Sequence, residues 1–223
     1  MSNKPYYSSI TKKIIMSLMG LFLITFLVVH LTLNSLLLIN KDLFNEGAHF
    51  MGTNVFIQLF QWVLFAGFAI HIFYGIVLQI QNWTKRPVGY KRRAFIEQSP
   101  FSKYMIYTGL LILIFLVIHL GNFFAVKMGW AGNGVSTVKV GGTEMEDMGQ
   151  LVINLFHNGA YVVFYVVMFV LLGFHLDHAF QSAFQTLGLN HKTYWGFIKG
   201  LGRVYAIVIS LGFIIIPLFI YFK

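Results

Sequence analysis

The stretch from Ile14 to Asn40 reads IIMSLMGLFLITFLVVHLTLNSLLLIN, without one Asp, Glu, Lys or Arg and with a single histidine, His30. An α-helix rises about 1.5 Å per residue, and about 20 apolar residues cross the hydrocarbon core of a bilayer. This segment is therefore long enough to span. Four further stretches read the same way, near 54–83, 103–126, 150–184 and 201–222. The second and fourth exceed a perpendicular crossing, which predicts tilt or helix that continues past the lipid. Composition agrees: 57% of the 223 residues are hydrophobic, 10% are charged and mean hydropathy is +0.73. A water-soluble chain carries roughly a quarter charged residues, so there is too little charge here to coat a globule. The expected fold is an all-α integral membrane protein, one transmembrane domain over 1–223 with five spans. With no cysteine, disulfides, thiolate-held zinc, iron–sulfur clusters and a covalently attached c-type haem are excluded.

The net charge of +9 does not point to nucleic acid, because the basic residues alternate between loops. Lys4, Lys12 and Lys13 precede the first span, and Lys85, Arg86, Lys91, Arg92, Arg93 and Lys103 separate the second from the third. Lys192, Lys199 and Arg203 fall between the fourth and fifth, whereas only Lys41, Lys127, Lys139 and Lys223 belong to the other side. The positive-inside rule then places the N-terminus and both basic loops in the cytoplasm. A cleavable signal peptide would also begin with basic residues, but the apolar run is long for one and no A-x-A-like site follows. The outer loop around Gly129–Gly149, rich in Gly, Val and Thr, has room for a short hairpin. No internal repeat is legible.

Ionisable side chains inside a span are costly and mark function by default. Of eight histidines, His30, His71, His119 and His175 each lie well inside one of the first four spans, and the fifth span has none. His30 is 17 residues beyond Lys13 and His119 is 16 beyond Lys103, which puts both roughly 24–26 Å from the cytoplasmic charges. His71 lies 14 residues before Lys85, and His175 lies 10 before Gln185, on helices running the other way. The depths sort them into an outer pair, His30 with His119, and an inner pair, His71 with His175. Two imidazoles facing one another across a bundle are what a low-spin b-type haem requires. Gly67 and Gly75, four residues either side of His71, would let a flat macrocycle approach the helix. Gly173 and Ala179 flank His175, and Gly121 follows His119. His178, one turn beyond His175, could serve in its place, while His157, His191 and the tryptophans Trp62, Trp83, Trp130 and Trp195 read as interfacial. A haem-free, histidine-lined transporter would call for acidic partners at the same depth, and Asp177 is the only acid inside a span.

The strings VVHLTLN (His30), AHFM (His49), AIHIFYG (His71), VIHLGN (His119) and GFHLDHAFQSAF (His175), in this order and spacing, make the chain resemble a known family. It is similar to the five-helix, di-haem cytochrome b membrane anchor of succinate dehydrogenase and fumarate reductase (succinate:quinone oxidoreductase, complex II), along nearly its whole length. The resemblance implies two b haems, the inner on His71 and His175 and the outer on His30 and His119. It implies a flavoprotein and an iron–sulfur subunit on the cytoplasmic face of the cell's inner membrane, with electrons passing to a quinone, menaquinone being expected. The quinone candidates it suggests are Asn34 and His49. Arg92, Arg93 and Lys103 become candidates for haem propionates or partner docking, beside the plainer reading of solvated positive charge. Some fumarate-reducing relatives carry a glutamate two residues before the fourth-helix histidine; here Gly173 stands there, which favours succinate oxidation. The alternative is a cytochrome b subunit of another membrane oxidoreductase, such as a hydrogenase or formate dehydrogenase.

Overall fold

The computed structural model describes residues 9–85 and 104–223, so Arg92, Arg93 and Lys103 lie outside the described residues. In chain order the elements are α1 (Ser9–Ile39), α2 (Lys41–Thr53), α3 (Val55–Lys85) and α4 (Met105–Leu120). A π-helical turn (Gly121–Ala125) extends α4 and is followed by a hairpin of β1 (Thr137–Val140) and β2 (Thr143–Glu146). Helices α5 (Met148–Phe156), α6 (Gly159–Thr186) and α7 (Lys192–Phe222) complete it. Five segments, within α1, α3, α4 with its π turn, α6 and α7, are long and apolar enough to cross a membrane. Helix is the form such segments must take, because lipid offers no partner to a backbone N–H or C=O. Their outward side chains are large and apolar, with Phe56, Val117 and Phe197 at 83%, 64% and 73% exposure. That surface is unsuited to water and fits a multi-pass membrane protein.

Packing is densest between α6 and α7, where Tyr165, Phe169, Phe180, Ala206, Ile209 and Phe213 are buried. Small residues bring these helices together. A Cβ at Gly202 would strike Phe180 at 2.7 Å, and one at Gly173 would strike Ser210 Oγ at 2.5 Å. Ser210 donates to the Phe169 carbonyl at 2.9 Å, and Tyr205 reaches α1 by donating to the Ile24 carbonyl at 2.6 Å. Helix α7 thus braces α6 and α1. Trp195, read from sequence as interfacial, packs against this core instead, whereas Trp62, Trp83 and Trp130 are exposed.

The stretch read as one span over 150–184 is two helices. His157 closes the first and Asn158 caps the second, its side chain accepting from Ala160 N–H at 3.0 Å, and Asn at an N-cap competes well against helix continuation. Residues 41–53, assigned to a loop by their polarity, form α2 behind an Asn40 cap. The hairpin falls within the Gly-rich loop, its turn made by Gly141 and Gly142 at φ of 56° and 86°, the positive-φ pair that a two-residue hairpin turn needs. Helix α2, the hairpin and α5 gather at one end of the bundle, called here the capped end. They are tied by a buried polar knot. Asn45 is fully buried; its amide donates to Asp147 Oδ1 at 2.8 Å and its oxygen accepts from Gly149 N–H at 2.7 Å. Lys41 pairs with Asp147 Oδ2 at 2.9 Å.

Candidate haem-binding cavity

Helices α1, α3, α4 and α6 supply most of the lining of a half-open cavity of about 1870 Å³. Pockets for single drug-sized ligands measure about 300–1,000 Å³, so there is room for more than one large group. His30, His71, His119, His175 and His178 all line it, among mostly apolar side chains. His49 is not among the lining residues; Asn34 is, with its amide donating to the His30 carbonyl at 2.8 Å.

Near the capped end, the rings of His30 and His119 meet in a T-shaped arrangement, with centroids 5.8 Å apart and planes at 84°. Imidazole–metal bonds run about 2 Å, and a ring centre lies about 1 Å behind its nitrogen. Two imidazoles on one iron therefore stand roughly 6 Å apart, the spacing seen here. Phe26 stacks on His30 at 5.2 Å, and Phe115 lies 5.6 Å from His119. The Nδ1 of His119 is buried with no hydrogen-bond partner among the described residues. Immediately after His119 the helix takes its π turn, a departure that often accompanies functional sites. There Asn122 donates to the hydroxyl of buried Tyr165 at 3.0 Å.

Toward the opposite end, His71 Nδ1 lies 3.4 Å from the Met16 carbonyl of α1. A carbonyl can only accept, so Nδ1 carries the proton and Nε2 keeps a free lone pair; the tautomer follows from the partner's chemistry. His175 Nδ1 lies 3.3 Å from Thr108 Oγ1, and that hydroxyl directs its one proton to the Met105 carbonyl at 3.0 Å. With the Thr108 proton assigned to that carbonyl, Nδ1 of His175 is the donor of the pair and its Nε2 is left free. His178 Nδ1 is buried and has no partner among the described residues.

Of the glycines singled out in the sequence, Gly75 opens on the cavity with nothing within 4 Å of a Cβ. Gly67 instead lets α1 approach, its Cβ position being 3.0 Å from Phe22, and Gly173 serves α7. The glycines that face the inner imidazoles are Gly20 and Gly109, whose Cβ positions lie 3.4 Å from His71 and 3.5 Å from His175. Neither was legible as special. Lys13 lines the end opposite the cap together with Asn82, Ser182 and Gln185, and Lys127, Gln58 and Gln61 line the capped end. His157 and His191 are exposed and occupy helix caps.

Among the described residues no group of three or more His, Asp or Glu is placed to hold a metal ion. Paired imidazoles are a different donor set, one that would suit an iron already held by a macrocycle. A haem fits the residues present. No protein-family model, curated protein or solved structure matches this chain.

Proposed function

We propose that the chain is a di-haem cytochrome b that anchors a succinate:quinone oxidoreductase in the cytoplasmic membrane. The observation that carries this reading is the T-shaped pair His30 and His119, 5.8 Å apart, in the same cavity as His71 and His175. Bound there, two b haems would take up and pass on single electrons through the membrane.

The chain's own residues do the holding. His71 and His175 would offer Nε2, their Nδ1 protons engaged by Met16 and Thr108. His30 and His119 would hold the second haem, with Phe26, Phe115 and Phe213 around them to exclude water. Burial and hydrogen bonding of the ligands are the levers by which a protein tunes such a centre. Lys13, at the end opposite the cap, suits a carboxylate. With no cysteine, the chain cannot ligate an iron–sulfur cluster through thiolates, so succinate chemistry belongs to a flavoprotein and an iron–sulfur subunit on the basic face. A quinone, menaquinone in our reading, would be reduced at the capped end, where Asn34, Gln58, Gln61 and Lys127 line the cavity; amide and ammonium donors suit its carbonyls.

The test is to isolate the complex through a tag on this chain and offer it electron donors. Succinate should reduce its haems and a menaquinone analogue. Reduction by formate or hydrogen instead would assign the chain to another membrane oxidoreductase.

A further inference from the structure

Helices α1 and α4 turn out to be versions of one element, a repeat that the sequence read alone does not reveal. Aligned on what they touch, Met16–Leu31 and Met105–Leu120 agree at eight of sixteen positions. These are Met16/Met105, Gly20/Gly109, Leu21/Leu110, Phe26/Phe115, Leu27/Leu116, Val28/Val117, His30/His119 and Leu31/Leu120. The matched residues make matched contacts. Phe26 and Phe115 each lie against the histidine four residues on. Gly20 and Gly109 each face the imidazole of the packed neighbour, His71 on α3 and His175 on α6. Next to each glycine is an acceptor for that imidazole's Nδ1. In α1 it is the Met16 carbonyl. In α4 the equivalent Met105 carbonyl is taken by Thr108, whose Oγ1 receives the ring in its stead.

We infer that Gly20 with Met16, and Gly109 with Thr108, form two equivalent seats that fix the inner imidazoles for iron, and that Thr108 is the positioning residue of His175. This rests on the haem reading above. It also favours His175 where spacing leaves a choice open: His175 occupies the position equivalent to His71, and Nδ1 of His178 meets no such acceptor among the described residues. An accepted Nδ1 proton fixes the ring's tautomer and orientation and makes Nε2 a stronger donor to metal. The acceptor of the first seat is a backbone carbonyl and cannot be removed by substitution. The second hangs on one hydroxyl.

The experiment is a redox titration with low-temperature EPR of the tagged complex carrying Thr108→Val or Thr108→Ser. Thr108→Val should raise the midpoint of one haem and change its g-values, leaving the other haem untouched, and Thr108→Ser should restore both readouts. Loss of one haem alone in Thr108→Val, restored by Thr108→Ser, supports the seat equally. Should Thr108→Val fail to accumulate, Thr108→Ala removes the acceptor without the added methyl and carries the same expectations. Two haems with unshifted midpoints and g-values in the variant would overturn the seat while leaving the function intact. A wild-type complex without haem would overturn the function itself, and the seat with it.

Discussion

His71 and His175 each hand a ring proton to an acceptor on a neighbouring helix, the Met16 carbonyl at 3.4 Å and Thr108 Oγ1 at 3.3 Å. His30 and His119, about ten residues and hence roughly 15 Å further along α1 and α4 than those seats, are held by rings instead. Phe26, Phe115, Phe123 and Phe213 pack around them, and His119 Nδ1 is left without a partner. One pair is positioned by directional bonds, the other by shape. A hydrogen-bonded imidazole has its tautomer and its plane set before any ligand arrives, whereas a packed one has only its plane restricted. The environments differ as well. The cavity around the capped-end pair is lined by residues of α2 and α5, which the Asn45–Asp147–Lys41 knot ties together. Lys13, Asn82 and Gln185 line the other end of the cavity.

The comparison is broken most severely by removing a ligand from one pair only. His71→Ala should lose one of two haems, halving the reduced-minus-oxidised amplitude per chain. Succinate-driven quinone reduction should vanish while the soluble subunits still reduce artificial dyes. His119→Ala should lose the other haem, told apart by its midpoint. Next in size is the seat itself. A Cβ at Gly20 would meet His71 at 3.4 Å, ordinary contact, so Gly20→Ala should keep both haems. Gly20→Leu should displace the ring, and haem content should fall to one.

The cap should respond without touching either haem. Asn45 is fully buried, and Asn45→Ala leaves Asp147 Oδ1 and Gly149 N–H without their partner. Orphaning buried polar groups costs about 1–3 kcal/mol, so the thermal unfolding midpoint in detergent should drop while the haem spectrum stays unchanged. The smallest effect is a pH dependence. Burial alone would raise the Asp147 carboxyl, but hydrogen bonds from Asn45, Lys41 and the Gln150 N–H, together with the Lys41 charge, hold it below its usual 3.8. A carboxylate lowered in the folded state stabilises above its unfolded pKa and loses that contribution as pH falls through the folded value. Protease resistance of the 137–156 segment should therefore decline below about pH 4, and Asp147→Asn should flatten that decline.

Much of this molecule was open to reading before any coordinates. The apolar runs announce the membrane helices because lipid leaves the backbone no other choice, and helical rise alone sorts four histidines into two depths. What stayed hidden depends on tertiary contact. Residues 41–53 are too polar for a hydropathy signal, so α2 read as loop although Asn40 caps it. The break at His157–Asn158 was masked by apolar residues on both sides. Gly67 looked like a cofactor notch and is a helix-packing contact, while Gly20 and Gly109 looked ordinary and face the imidazoles. A glycine's role is set by the residue across from it, and spacing within one helix does not carry that. The repeat was missed for the same reason: half of its positions differ, and what marks it out is that Gly20/Gly109 and Phe26/Phe115 meet histidines in the same way.

The most direct measurement is haem stoichiometry by dithionite-reduced minus oxidised spectroscopy on the complex purified through this chain. Two b-type haems per chain, with an α-band on reduction, are expected. A complex with an intact polypeptide and one haem or none would contradict the account.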